Sequence, residues 1–266
     1  MVLELAKESS GIDFLAYKAP TMRRRVEHRM TKVHCRTYAQ YMDRLRRDPG
    51  EAVALLDALL VKTTSMFRHP PTTTVLRDIA LPGLFRLRKK ERAATVRGWV
   101  IGCSSGEEAF SLAMCFREAA YDAPNIDLRL LATDVDRGAL ERVASGNLSE
   151  SARADIPPPF DRFVEPTEQG YRVSDEIRAM ISPAYHDILA LDRPAPQSAV
   201  VASFDVVSCR NLIIYLDRPA RTRVISRLVK SCAPGAILVL GEAEAPISGL
   251  DGVTPVVPGV PVYVVA

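Results

Sequence analysis

Two regimes of apolar spacing divide the chain. From Thr21, the residues Met22, Val26, Met30 and Val33 recur at helical spacing, while Arg25, Arg29, Lys32 and Arg36 line another face. Tyr38, Tyr41, Met42 and Leu45 repeat the helical period, Pro49-Gly50 breaks it, and Glu51 to Val61 reads as a third helix. A further helix from about Thr72, interrupted at Pro82, runs into "RLRKKER" (86–92), a charged stretch that reads as a solvated connector. From Val96 the pattern changes. Apolar runs of strand length ("VRGWVIGC", "LRLLATDV", "SFDVVSC", "AILVLGEAE", "VPVYVVA") alternate with helical segments at Ala109–Ala119, Arg137–Ala144 and Pro219–Cys232. That alternation predicts an α/β fold with a mainly parallel sheet covered on both faces. Between Pro157 and Pro183 a short hairpin around Gly170 and a helix break the alternation and read as an insertion.

The organisation read from these patterns is a small all-helical domain over 1–68, a helical linker over 69–95 and an α/β domain over 96–266, with its insertion at about 157–183. Charge follows the same division. Residues 1–96 carry 19 Lys plus Arg against 10 Asp plus Glu, whereas residues 97–266 carry 16 against 22. The basic stripe Arg25, Arg29, Lys32 and Arg36 reads either as a solvated face or as a dock for an acidic partner. Five widely spaced cysteines with no C-x-x-C suggest neither a disulfide framework nor a zinc site, which favours a reducing cytoplasm. No residue order suggests a secretory signal, and no apolar run reaches membrane-spanning length. His28, His34, His69 and His186 show no helical metal-ligand spacing, so no metal is expected.

In open α/β sheets, ligands bind beyond the carboxyl ends of the strands. Four such places are readable: Gly102 to Glu108; Asp134; His186-Asp187-Ile188; and Arg210, Asn211 and Tyr215. The first has Glu107 and Glu108 where a helix begins, lacks the Lys-Ser/Thr of a P-loop and the full G-x-G-x-x-G, and would repel a phosphate. Asp134 is placed to accept from a ribose diol. Taken singly, each has a plainer reading: Glu107 and Glu108 as first-turn acids, Asp134 as a cap, Arg68 as a helix-end arginine bridging two domains, Tyr215 as a half-buried sheet-edge residue.

Together and in order, "TTSMFR" (63–68), "GCSSGEEAFSLAM" (102–114), "LATDVD" (131–136), "GYRV" (170–173), "FDVVSCRNLIIYLD" (204–217) and "APGAILVLGEAE" (233–244) resemble the CheR-type chemotaxis receptor methyltransferases over nearly the whole chain. The resemblance implies a Rossmann-like S-adenosylmethionine-dependent domain with a small helical N-domain and a small inserted β-subdomain. It implies methyl transfer from S-adenosyl-L-methionine to protein glutamates, leaving S-adenosyl-L-homocysteine. It assigns Arg68, Tyr215 and Arg210 to catalysis, and Thr64, Arg68, Gly102, Ser104, Glu108, Asp134, Asp187, Ile188, Asn211 and Leu212 to the cofactor. The implied partners are acidic methylation helices of a chemoreceptor or similar signalling protein, docked on the basic stripe, without nucleic acid or membrane insertion.

The cofactor named by the resemblance explains the two glutamates. It carries an ammonium and a sulfonium in place of phosphates, so carboxylates attract it. A glutamate acceptor, ordinarily ionised at neutral pH, can attack a methyl group without a base. Three departures from the family pattern stand out: Asp187 in place of an asparagine, Met66 in place of a second aromatic, and Ala243 in place of serine. They leave open a different, non-receptor carboxylate acceptor, and a non-catalytic cofactor-binding sensor is the other alternative. Base methylation is disfavoured by the lack of an Asn/Asp-Pro-Pro-aromatic motif, and peptide tethering by the insertion stays undecided.

Overall fold

A computed structural model of the chain describes residues 1–168, 170–190, 203–245 and 252–266. Its contacts divide it into one unit of Met1–Lys62 with Ile214–Val224 and another of Thr63–Ile213 with Ile225–Ala266.

The first unit is helical: α1 (Val2–Ser10), α2 (Ala19–Lys32), α3 (Tyr38–Arg47) and α4 (Pro49–Leu59). Helix α1 buries Val2 and Ala6 and stops at Gly11, whose φ of 77° suits a residue without Cβ. Helix α2 buries Met22, Val26 and Met30, the positions its apolar period marks. Thr37 and Gln40 form a reciprocal capping box at the start of α3. Pro49 opens α4 instead of separating two helices, because a first-turn residue needs no N–H and Asp48 supplies the cap by accepting from Glu51 N–H. The returning segment is tied in by Lys18 N–H donating to the Tyr215 carbonyl at 2.8 Å and Asp217 N–H to the Ala16 carbonyl at 2.9 Å. Between α2, α3 and α4, the Arg29 guanidinium pairs with the buried Glu51 carboxylate, which also accepts from Tyr41 Oη at 2.8 Å.

The second unit starts with α5 (Pro70–Val75), a π turn over Leu76–Ala80 and α6 (Leu81–Lys90). Pro82 has no N–H for the Asp78 carbonyl and crowds it in a regular helix. The widened turn, in which Leu81 N–H reaches the Leu76 carbonyl, lets the helix run on. Helix α6 therefore extends through most of the charged stretch expected to be a solvated connector. The reason lies in Arg88, which is 9% exposed and donates to Asp205 at 2.7 Å and Glu91 at 2.7 Å.

Then follow β1 (Thr95–Ile101), α7 (Glu107–Ala119), β2 (Asp127–Asp134), α8 (Arg137–Ser145), β3 (Asn147–Leu148), α9 (Glu150–Ala154), β4 (Val164–Thr167), β5 (Gly170–Val173), α10 (Asp175–Arg178), β6 (Ile181–Tyr185) and β7 (Phe204–Cys209). Helix α11 (Arg218–Lys230), β8 (Cys232–Leu240), β9 (Val253–Pro255) and β10 (Val262–Val265) complete the chain. The main sheet has the order β6-β2-β1-β7-β8-β10-β9; the first five strands are parallel, and β10 runs antiparallel to both β8 and β9. Every residue of β7 is buried, as expected for a strand covered on both faces. Trp99 at the centre of β1 is fully buried and donates its indole N–H to Thr133 Oγ1 at 2.9 Å.

A second, three-stranded sheet of order β3-β5-β4 forms the β-subdomain, with β4 and β5 antiparallel partners. The turn before β4 packs Phe160 on Phe67, with ring centroids 4.7 Å apart, so this region touches the loop that carries Arg68.

Candidate functional site

Strand order converts a list of strand ends into a line of residues. Beyond the carboxyl ends of β6, β2, β1, β7 and β8 lie, in that order, Asp187-Ile188, Asp134, Gly102–Glu108, Arg210–Leu212 and Gly241–Glu244. The chain leaves β1 toward β2 on one side and returns on the other at β7, so the crevice between β1 and β7 is the topological switch point where such sheets take ligands. Strands spaced by ~4.8 Å put the β6 and β7 ends roughly 14 Å apart, the reach of an elongated nucleoside ligand.

The turn after β1 is tight. Gly102 has a φ of +69°, in the left-handed region that favours glycine, and a Cβ there would come within 2.6 Å of Leu212 Cδ1 and push that side chain aside. Ser104 also has a positive φ, 48°, and its N–H is held at 2.9 Å by Asp134 Oδ2. Glu107 and Glu108 diverge. Ser105 Oγ donates to Glu107 at 2.8 Å at the start of α7, where a carboxylate complements the helix dipole. Glu108 instead accepts from Ser208 Oγ at 2.6 Å, in a cleft also lined by Arg68, Ser111, Leu112 and Arg210. Burial pushes its carboxyl above the ordinary glutamate range, against the pull of Arg210 and the Ser208 hydrogen bond.

Asp134 Oδ1 accepts from Asp136 N–H at 2.9 Å, so its two oxygens order the turns after both β1 and β2. Burial raises its carboxyl despite those N–H donors. The Val135 N–H is a third backbone donor to this carboxylate, whose two oxygens together have more lone pairs than these donors use. After β6, Asp187 Oδ1 accepts from Leu189 N–H at 2.8 Å, and the Ile188 carbonyl accepts from Arg227 Nη1 at 2.7 Å. Arg227 on α11 thus orders the turn that carries Asp187 and Ile188, and its arginine-to-carbonyl contact has no signature in the sequence.

Arg68 lies in a loop with an unusual backbone. Its neighbours Phe67 and His69 both have positive φ, 46° and 59°, which for a bulky residue such as Phe67 stores strain that the surroundings must hold. Phe67 N–H donates to Ser111 Oγ at 2.9 Å, Thr73 Oγ1 donates to the Arg68 carbonyl at 3.1 Å, and Arg210 Nη2 donates to that same carbonyl at 2.6 Å. The Arg68 guanidinium itself donates to the Thr63 carbonyl at 3.1 Å. Thr64 sits half-buried in the extended stretch before the loop. His69 Nδ1 is 3.2 Å from Glu242 Oε2; burial, with Arg210 and Arg68 nearby, lowers the imidazole pKa, while Glu242 opposes that shift. Tyr215 belongs by its contacts to the helical unit, in the short turn Ile213–Tyr215 that follows the Arg210-Asn211-Leu212 loop in the chain.

Among the described residues, three buried polar atoms on these adjoining loops have no hydrogen-bond partner: Arg210 Nε, Asn211 Oδ1 and His69 Nε2. Unsatisfied buried groups call for a ligand or water. These three atoms and the raised Glu108 carboxyl suit a ligand with an ammonium and further polar groups, so the residues present fit an amino-acid-bearing nucleoside. Among the described residues, His, Cys, Asp and Glu form no group of three or more able to hold a metal, and no helix is long and apolar enough to cross a membrane.

The basic stripe requires correction. Arg25 donates to the carbonyls of Ala58 and Leu60 at 2.8 and 3.0 Å, covering the open end of α4. Arg29 is spent on Glu51 at 2.6 Å. Both are half-buried structural cations; Lys32 and Arg36 are exposed, and the solvent face of α2 carries Arg23, Arg24 and His28 beside Lys32.

An open, mainly parallel sheet with carboxylates after its first two strands and no phosphate loop at the switch point is the arrangement of an S-adenosylmethionine-dependent methyltransferase. The chain belongs to the CheR methyltransferase family: residues 62–258 match the CheR methyltransferase SAM binding domain, and residues 1–60 match its all-alpha domain. It is 28% identical over 242 residues to chemotaxis protein methyltransferase 2 of Pseudomonas aeruginosa, covering 88% of this chain and 81% of that protein. It is 29% identical over 258 residues to the probable biofilm formation methyltransferase WspC of the same species, covering 97% and 58%. An uncharacterized 104.1 kDa protein of Rhodobacter capsulatus is 32% identical over 252 residues, 94% of this chain but 26% of that protein.

Proposed function

We propose that the chain is a cytoplasmic protein-glutamate O-methyltransferase acting on chemoreceptor-type acidic helices. The observation that carries this reading is the line of side chains along the sheet edge, with a raised carboxyl, Glu108, hydrogen-bonded to Ser208 in a cleft that Arg68 and Arg210 also line. When bound, S-adenosylmethionine supplies an electrophilic methyl group on a sulfonium. Asp187 and Ile188 would hold the adenine, Asp134 would take the ribose hydroxyls, and Gly102, Ser104, Asn211 and Leu212 would wall the nucleoside. Glu108 meets the ammonium, and Thr64 lines the side toward Arg68.

The acceptor needs no base. An ionised acceptor carboxylate would take the methyl group on its oxygen as the carbon–sulfur bond of the sulfonium opened, so one negative and one positive charge would cancel and no side chain of this chain would have to move a proton. What the protein must supply is alignment and exclusion of water. Arg68 orients the acceptor carboxylate, Arg210 holds the Arg68 loop through its carbonyl, and Tyr215 contributes its hydroxyl to the methyl. Exposed cations of α2 steer the acidic partner.

The test is calorimetric titration with S-adenosylmethionine and S-adenosylhomocysteine, followed by labelled-methyl transfer to receptor fragments. Transfer to glutamate-bearing fragments, absent when those glutamates become glutamines, supports the reading. Arg68→Ala and Tyr215→Phe should then lower transfer more than homocysteine-product binding. Transfer only to free small carboxylates assigns a different acceptor, and binding without any transfer leaves a sensor.

A further inference from the structure

Glu244 is completely buried, in the short turn Glu242–Glu244 after β8. One of its carboxylate oxygens, Oε2, accepts from Gly241 N–H at 2.7 Å and from Asn211 N–H at 3.0 Å. A buried carboxylate is costly unless hydrogen-bonded, so its presence here needs a reason beyond packing. The reason is geometric: β7 and β8 are parallel neighbours, and this oxygen ties their carboxyl ends together just where Asn211 turns with a φ of 59°. The fit is close. A Cβ on Gly241 would lie 2.7 Å from Glu244 Oε2 and 2.8 Å from the Asn211 nitrogen, so residue 241 must be glycine for the oxygen to reach both. From the same turn Glu242 reaches His69, next to Arg68.

We propose that Glu244 is a positioning residue for the cofactor. By fixing the Asn211 backbone in the left-handed region it presents the otherwise unpartnered Asn211 carboxamide oxygen to the ligand, and with Glu242 it keeps the Arg68 loop and the Asn211 turn at one spacing. This rests on the reading of the crevice as the S-adenosylmethionine site. Wild-type affinity for S-adenosylhomocysteine tests that reading, and the ratio of variant to wild-type affinity tests the clamp.

The experiment compares Glu244→Asp, Glu244→Ala, Asn211→Gly and the Asp/Gly double variant in the full chain. Calorimetry gives the S-adenosylhomocysteine Kd, labelled-methyl transfer gives kcat and KM, and thermal unfolding is recorded alongside. Asn211→Gly keeps the positive φ and the N–H, so it leaves the clamp intact while removing the carboxamide. It should raise Kd about tenfold, from one lost ligand hydrogen bond. Glu244→Asp, too short to reach both N–H groups, should raise Kd by a similar factor, as should Glu244→Ala where it folds. A fifth variant, Glu244→Gln, whose carbonyl oxygen can still take both N–H groups, should keep most of the wild-type affinity. Because the two residues act through one contact, the double variant should bind no more weakly than the weaker single variant. A Glu244 that merely stabilised the fold would lower the melting temperature and leave Kd and kcat of the folded molecules within twofold of wild type. That result, wild-type affinity in Asn211→Gly, or losses that multiply in the double variant, would overturn the proposal.

Discussion

Arg29 Nη2 stands 2.6 Å from Glu51 Oε2, with the glutamate side chain 2% exposed and the arginine 14%. The residue that sequence spacing offers as a docking cation is therefore the partner of a buried carboxylate, and the consequences for stability come before any for recognition. Burial alone would raise the Glu51 carboxyl, but hydrogen bonds from Arg29 and Tyr41 outweigh it and hold the carboxyl below its ordinary range. Arg29→Ala leaves that charge buried without its cation and should cost about 3 kcal/mol. The pH dependence follows the same pair. A depressed folded-state pKa gives stability that is present above the unfolded value of about 4.3 and is lost as pH falls through the folded value. Urea unfolding of wild type and Arg29→Ala from neutral pH to below 4 should show that acid loss only in the wild type; equal stabilities would remove the pair from the account.

Glu108 shifts the other way, upward through burial. An ammonium arriving beside it favours ionisation, so ligand binding should release protons. S-adenosylhomocysteine affinity should rise with pH from the ordinary glutamate range, about 4.3, up through the elevated value, and then level off. Glu108→Gln should weaken binding by about 2 kcal/mol at neutral pH, the worth of a hydrogen bond to a charged group, and flatten the profile. Calorimetry in buffers of different ionisation enthalpy reads both effects, and a pH-independent affinity in the wild type would take the ammonium away from Glu108.

His69 gives a separate acid signature. Its folded pKa is lowered, first by burial and then by Arg210 and Arg68, so the unfolded chain binds the extra proton more readily. Native stability should thus fall as pH drops below about 6.5 toward the folded value. His69→Asn, chosen because asparagine tolerates the positive φ, should lose less stability between pH 7.5 and 5.5 than wild type. Matching melting-temperature shifts over that interval would show that the imidazole does not titrate differently on folding.

Arg24 and Lys32 are exposed on α2. If this face steers an acidic acceptor, Arg24→Glu with Lys32→Glu should lower kcat/KM for a receptor fragment about tenfold at low salt. The difference should shrink at high salt as exposed charges are screened. S-adenosylhomocysteine affinity and stability should stay at wild-type values. Unchanged methylation kinetics at low salt would leave the stripe an ordinary solvated face.

The sequence by itself determined the elements that depend on near neighbours. The period of Met22, Val26 and Met30 marks the buried side of α2, and the unbroken apolar run of β7 marks a strand with two covered faces. Strand ends could be read the same way, which is why Gly102, Asp134, Asp187 and Arg210 were legible as one set. Tertiary structure decided matters that depend on partners brought together from afar. Neighbouring arginines on α2 look alike until Glu51, 22 residues downstream, claims Arg29 and the end of α4 claims Arg25. Arg88 looks like part of a solvated run until Asp205, 117 residues away, meets it in the interior. Glu244 is one more acid after a strand until the pairing of β7 with β8 brings Asn211 N–H within reach of its buried oxygen. Periodicity reports which way a residue faces, because the helix or strand repeat is local; a charged or hydrogen-bonding side chain takes its role from a partner whose position only the fold supplies.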